Sequence, residues 1–278
     1  MQANNLTISV PSRGCDKNCP YCVSRMTGYP RENEALILRN LPKVKLLARE
    51  AGVSSVLLTG KGEPFLNLPW VEILAREFEE YPLEIQTNGL RLKRDFEAGG
   101  GLVEGLYDLG FNTLAFSLDR VAQIRSHGPL FKRIGSRGMI VRVTFNVSAA
   151  DSEAREMGFG RVLELCRGAG IRQVSLRRIT IPEEIVEGAE AEETARWIRE
   201  HRGDTLYGRW AGELLSMKPR EIRRLSFGAV VYDWKGLSVT HFDYCIQERA
   251  DSDDTRSLIF QEDGHLYTSW GSEASMLL

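Results

Sequence analysis

Two hydrophobic periods alternate along this chain. Six short apolar runs are strand-like, and apolar residues recur at intervals of two in most of them: 5–10 (NLTISV), 54–59 (SSVLLT), 83–87 (LEIQT), 113–118 (TLAFSL), 139–147 (MIVRVTFNV) and 172–178 (RQVSLRR). That is the period of a strand. Between them, apolar residues recur at helical spacing in EALILRNLPKVKLLAREAG, PWVEILAREFEE, RDFEAGGGLVEGLYDLG, the region 121–136 and SEAREMGFGRVLELCRGAG. Several of these runs end in glycine, as helix C-termini do, and Pro42 is expected to break the first. Repeated strand–helix alternation predicts a parallel sheet with right-handed crossovers.

The strands carry a second signal. Val141, Val143, Phe145 and Val147 share one face of their strand, while Arg142, Thr144 and Asn146 share the other. Leu83, Ile85 and Thr87 oppose Glu84, Gln86 and Asn88, and Leu114, Phe116 and Leu118 oppose Thr113, Ala115, Ser117 and Asp119. Val174 and Leu176 oppose Gln173, Ser175 and Arg177. A closed eight-stranded barrel fills its interior with Val, Ile and Leu, so a polar inner face predicts something else. The expected fold is α/β: a partial parallel (β/α)6 barrel over residues 1–182 whose interior is a lined cavity. A C-terminal β-hairpin and α+β extension over 183–278 should follow. It begins with the charged helical stretch EEIVEGAEAEETARWIREH, a lid or linker. Hairpins turning at DWKG and EDG should then cap the barrel edge or mouth.

Charge and composition narrow the partners. The 278 residues carry 36 Lys plus Arg against 38 Asp plus Glu, a net charge of -2. No global field favours a nucleic acid, and no apolar run approaches the roughly 20 residues that span a bilayer. Neither nucleic acid nor membrane is an expected partner. The first residues lack a signal-peptide pattern, and five unevenly spaced cysteines make a poor disulfide framework. A reducing cytoplasm is the expected location.

Three of those cysteines, Cys15, Cys19 and Cys22, lie together in CDKNCPYC, directly after the first strand. Structural zinc wants four ligands, and the four histidines are scattered. A thioredoxin-like pair would use Cys19 and Cys22 and leave Cys15 idle. A cubane iron–sulfur cluster is the third reading: three thiolates would leave one iron free for another ligand. Cys166, in the helical run VLELCRGAG, reads as a small buried hydrophobe.

This C-x3-C-x2-C motif after the first strand resembles that of the radical S-adenosylmethionine (SAM) superfamily, of the single-cluster type. TGKGEPFLN after the second strand is similar to its glycine-rich motif, at Gly60, Gly62, Glu63 and Pro64. QTNG follows the third strand, and AFSLD ends the fourth. The resemblance covers roughly residues 5–180.

It implies a [4Fe–4S] cluster on Cys15, Cys19 and Cys22, with SAM chelating the free iron. Glu63 would accept the SAM ammonium, while Gly60 and Gly62 admit the ligand close to the backbone. Tyr21 would pack near the adenine, and Asn88, Ser117 and Asn146 would contact ribose or methionine. Lys61 is expected to face solvent, with the SAM carboxylate as its other candidate contact. The implied reaction is reductive cleavage of SAM to a 5′-deoxyadenosyl radical, fed by flavodoxin or ferredoxin as electron donor. The substrate classes left open are a small molecule, a glycyl-radical protein to be activated, and a peptide or RNA. A small substrate is expected. Arg142 and Arg177, on the polar face of strands five and six, are candidates to anchor an anionic group or to pair with Glu84 or Asp119. Arg178 should point the other way. In the tail, THFDYC and GHLYTSW read first as an aromatic-rich core that seals the barrel edge; the alternative is a substrate-facing wall that includes His241 and Cys245, with a tyrosine or the cysteine able to return a hydrogen atom.

Overall fold

The computed structural model describes residues 2–29, 31–225, 229–242 and 255–278. β1 (Ala3–Ser9) leads to α1 (Val23–Thr27) and α2 (Glu34–Glu50), and β2 (Val56–Thr59) to α3 (Leu68–Glu77). β3 (Leu83–Thr87) is followed by α4 (Leu90–Glu97) and α5 (Leu102–Asp108). β4 (Phe111–Leu118) is followed by α6 (Val121–Ser126) and α7 (Gly128–Ser136). Next come β5 (Ile140–Val147), α8 (Ser152–Glu156) and α9 (Phe159–Gly168), then β6 (Gln173–Arg178), α10 (Ala189–Glu200) and α11 (Asp204–Ser216). The tail adds β7 (Arg220–Arg224), β8 (Val230–Trp234), β9 (Leu237–Phe242), β10 (Thr255–Phe260) and β11 (Leu266–Tyr267).

β1 to β6 lie side by side in chain order, all parallel, so the six strand-like runs are the six central strands. The tail then extends both edges. β9 joins β6 in parallel, with β8 and β7 antiparallel beyond it, while β10 joins β1 in parallel and carries β11. The sheet therefore runs β11-β10-β1-β2-β3-β4-β5-β6-β9-β8-β7 and does not close on itself, a partial barrel. Both foreseen turns exist, but on opposite edges: one at Lys235–Gly236 between β8 and β9, the other between β10 and β11.

The two faces differ as the alternation predicts. Leu6, Ile8, Val56, Leu58, Ile85, Phe116, Val143, Phe145 and Leu176 are buried in one core with apolar residues of the helices. Burying each such side chain contributes about 1.5–3 kcal/mol. Glu84, Gln86, Ser117, Arg142, Asn146, Gln173, Ser175 and Arg177 remain partly exposed on the other face. Strand register stacks them in layers. Gln86, Ala115, Arg142 and Gln173 form one level, and Ser117, Thr144 and Ser175 the next. Asn146 and Arg177 lie nearest the C-terminal ends.

Some helical expectations need correction. Pro42 does not break α2, which runs through it. The ring removes a donor to the carbonyl of Leu38, but both residues are exposed, so water can serve that carbonyl. Burial of Ile37, Leu41, Val44 and Ala48 then holds the helix on the sheet. The run 94–110 falls in two helices, interrupted at Gly99–Gly101, and 121–136 is divided at His127. α11 was not foreseen, because Gly208 and Gly212 dilute its helical signal. Trp210 anchors it, stacked 5.3 Å from Phe159 and donating to the Met157 carbonyl at 3.1 Å.

Candidate active site

The loops leaving the C-terminal ends of β1, β2 and β3 are fastened together. Val10 N–H donates to the Thr59 carbonyl at 2.7 Å, and Glu63 N–H to the Gly14 carbonyl at 2.9 Å. Gly62 is required at this seam: a Cβ there would lie 2.2 Å from the Gly14 oxygen and 2.4 Å from Ser12 Oγ. Pro64 is buried at the first position of a short 3-10 turn, Pro64–Asn67, which Glu63 caps. Gly60 also approaches the β1 side closely, its Cβ position 3.2 Å from the Val10 oxygen.

The Glu63 carboxylate is 4% exposed. Its Oε1 accepts from Thr87 Oγ1 (2.7 Å) and Phe65 N–H (3.2 Å), and Oε2 from Asn88 N–H (2.8 Å). Burial raises its pKa, opposed by these donors. The glycine-rich loop is thereby tied to the end of β3. There, Asn88 Oδ1 accepts from Leu90 N–H at 2.8 Å, and its Nδ2 reaches Asp16 at 2.8 Å and Cys15 Sγ at 3.6 Å. Gly89 turns with φ +80°, and a Cβ would strike Phe116 at 2.8 Å.

Cys15, Cys19 and Cys22 are free thiols on the loop after β1, Cys15 exposed and the others half-buried. Cys22 N–H donates to the Cys19 carbonyl at 3.2 Å, and Cys22 opens α1. Burial pushes the Cys19 thiol up to about 11, with the Lys17 charge opposing, and raises Cys15 as well. Such thiols stay protonated at neutral pH unless a cation compensates them, which is what a bound metal provides. Among the described residues, no three His, Cys, Asp or Glu side chains converge on one ion. A cubane fits this donor set better than a single metal, because each thiolate serves a different iron. An unpartnered polar atom, Ser9 Oγ, is also buried at the end of β1.

Further contacts clamp this loop over the sheet. Lys17 Nζ pairs with Asp119, just after β4, at 3.1 Å. The Tyr21 hydroxyl meets Asp119 and Asn146, burial raises its pKa, and its ring lies 5.8 Å from Trp197 of α10. With Met26, Ala195 and Ile198 these rings form a small core of their own. The charged helix thus packs on the cysteine loop and α1. Ser117 Oγ accepts from Gln86 Nε2 at 3.0 Å.

Lys61 does not face solvent. Its Nζ donates to Thr27 Oγ1 at 2.6 Å, its carbonyl accepts from Ser24 Oγ at 2.6 Å, and burial lowers its pKa. Arg142 is paired within the polar face, with Glu84 and with Gln173 Oε1 (2.7 Å). Arg177 is half-buried beside Asn146, with no ion pair or hydrogen bond among the described residues. Arg178 turns to the helices and meets Asp204 at 3.4 Å. His241 is half-buried on β9, its ring stacked 6.1 Å from Tyr232; Cys245 lies outside the described residues. Sequence reasoning gave no role to Lys17, Thr87 or Trp197. Lys17 and Thr87 adjoin recognised motifs, so their positions were a usable signal; nothing marked Trp197.

The model of the radical SAM superfamily matches residues 9–198. The chain is 29% identical over 165 residues to GTP 3',8-cyclase 1 of Pseudomonas aeruginosa, covering 58% of this chain and 44% of that protein. It is 32% identical over 118 residues to GTP 3',8-cyclase of Clostridium acetobutylicum, covering 41% and 34%. It thus spans less than half the length of these relatives. Among solved structures it resembles Streptococcus suis SuiB bound to S-adenosylmethionine, with TM-score 0.58 and 13% identity over 99% of this chain and 63% of that one. SuiB bound to precursor peptide SuiA gives TM-score 0.54 and 16% identity over 99% and 62%. At such identities the likeness is one of fold. Among the described residues, no helix is long and apolar enough to cross a membrane. With the superfamily match spanning most of the chain, this protein belongs to the radical SAM superfamily and is an enzyme of that class, whose cofactors are a [4Fe–4S] cluster and S-adenosylmethionine.

Proposed function

We propose that this enzyme abstracts hydrogen from a small substrate carrying a carboxylate or phosphate. When bound, the cluster and SAM supply a one-electron reductive cleavage that yields methionine and a 5′-deoxyadenosyl radical. Cys15, Cys19 and Cys22 would hold the cluster. Glu63 is held rigid by three donors, and its Oε2 receives only one of them, which leaves it able to accept an ammonium. Gly60 and Gly62 let the glycine-rich loop pack directly on the backbone of the cysteine loop, which sets Glu63 in place. Tyr21, Asn88, Ser117 and Asn146 would orient the rest of SAM, and flavodoxin or ferredoxin would deliver the electron.

The observation that carries the substrate class is Arg177. Among the described residues no carboxylate meets it, and a half-buried guanidinium at the rim of a polar face costs free energy unless an anion does. Arg142 does not serve this purpose, because Glu84 already pairs with it. The cyclase relatives are named for GTP, an anionic small molecule, which agrees with this reading. Cys245 remains the candidate for returning a hydrogen atom, and Cys245→Ala with unchanged turnover would remove it from that role.

The test is Arg177→Lys, assayed with a panel of phosphorylated and carboxylated metabolites. Lysine keeps the charge and loses the bidentate fork. SAM cleavage without substrate should persist, while the stimulation of cleavage by substrate should fall by about tenfold, the worth of one charge-assisted bond. Equal stimulation in wild type and variant would contradict the assignment.

A further inference from the structure

A carboxylate from the far end of the chain reaches the seam between the cysteine loop and the glycine-rich loop. Glu262 lies in the turn between β10 and β11 and is 2% exposed. Its Oε2 accepts the Ser12 N–H at 3.1 Å, and its Oε1 the Lys61 N–H at 3.4 Å. One residue, three positions before Cys15, belongs to the cysteine loop. The other lies between Gly60 and Gly62. The Gly62 contact with Ser12 and Gly14 sits between them.

The turn itself is fixed to the barrel. Glu262 accepts the Asn33 N–H on its carbonyl at 2.8 Å, and Asn40 Nδ2 donates to the Gly264 carbonyl at 2.8 Å. Gly264, at φ +83°, lies so close to α2 that a Cβ would be 2.8 Å from Ile37 N. The carboxylate is therefore presented from a rigid support. Lys61 continues the network to the other side: its ammonium binds Thr27 at the end of α1, and its carbonyl binds Ser24. Three segments distant in sequence thus meet at Lys61, and Glu262 ties Ser12 to them.

We propose that Glu262 is a positioning residue of the cofactor site, bridging the Ser12 and Lys61 amides and so setting the glycine-rich loop against the cysteine loop. On this view the β10–β11 hairpin is part of the SAM site rather than a cover for the sheet edge. A buried carboxylate that satisfies two backbone donors has no neutral substitute of the same reach. Glutamine presents an oxygen to one amide and an NH2 group to the other. Aspartate keeps the charge but is one methylene too short to span both.

The proposal rests on the reading of residues 60–63 as the SAM loop, and the experiment separates the two. Wild type, Glu262→Gln and Glu262→Asp are reconstituted anaerobically. Iron per chain, melting temperature and SAM dissociation constant are measured for each, with amide hydrogen exchange on the cluster-free proteins. Iron content should stay at the wild-type level. SAM affinity should fall about tenfold in both variants, with aspartate giving no rescue, and faster exchange should be confined to the Ser12 and Lys61 amides. Unchanged SAM affinity in a variant whose wild type binds SAM would overturn the proposal alone, as would full rescue by aspartate. A wild type that takes up iron but binds no SAM would overturn the SAM-loop reading and the proposal with it. Should Glu262→Gln fail to fold, Glu262→Asp and its exchange pattern decide.

Discussion

Burial raises both Cys19, to about 11, and Cys166, to about 12, but the two thiols differ in access. Cys19 is half-buried on a loop, whereas Cys166 is fully enclosed in α9. In cluster-free protein, iodoacetamide at about pH 8 should alkylate the loop cysteines and spare Cys166, as peptide mass mapping would show. Cys166→Ala should keep the iron and cost about 1 kcal/mol of stability, read from urea midpoints. Ala at Cys15, Cys19 or Cys22 should lose the iron. Glu63→Ala separates two roles. Stranding the Thr87 and Asn88 donors should cost about 1–3 kcal/mol of stability. The lost ammonium partner should weaken SAM binding without removing iron. At this scale the motif residues were legible, because their chemistry is local in sequence. Arg142 was legible as far as its face and its choice of partners. Lys61 was not, because its partners Thr27 and Ser24 are set by the packing of α1 and not by strand alternation.

The six central strands were legible almost to the residue, since period two survives wherever one face is buried. Helix boundaries were less so. His127 shows why: it separates α6 from α7, yet its ring is buried against Phe131, 5.7 Å away, and adds to the apolar pattern. His127 Nδ1 meets the Gln123 carbonyl at 2.9 Å, while Nε2 is buried without a partner. Burial lowers its pKa below 6.5. The unfolded chain therefore takes up the proton first. The stability contributed by neutral His127 is fully present above about pH 6.5 and is lost as pH falls through the lower folded value. His127→Asn keeps a donor for the Gln123 carbonyl and cannot titrate. The variant should therefore lose less stability than wild type between about pH 7 and pH 5, as measured by urea unfolding. An equal loss in both would contradict a neutral buried imidazole.

Over the whole molecule, the sequence placed a hairpin unit beyond the sixth strand, and the structure places strands on both edges of the sheet. No local pattern distinguishes those outcomes, because β10 finds β1 across more than two hundred residues. That long-range pairing also brings Glu262 to the cofactor loops, a contact with no signal in sequence. The polar inner face and the seam of loops at one end of β1, β2 and β3 make a single claim: this end of the sheet holds a cluster and SAM for radical chemistry. The most direct test is anaerobic incubation of reconstituted protein with SAM and dithionite, followed by chromatographic quantification of 5′-deoxyadenosine. Wild type should accumulate 5′-deoxyadenosine and methionine in equal amounts, and Cys19→Ala should form neither. No 5′-deoxyadenosine from iron-loaded wild type, or equal amounts from Cys19→Ala, would contradict the account.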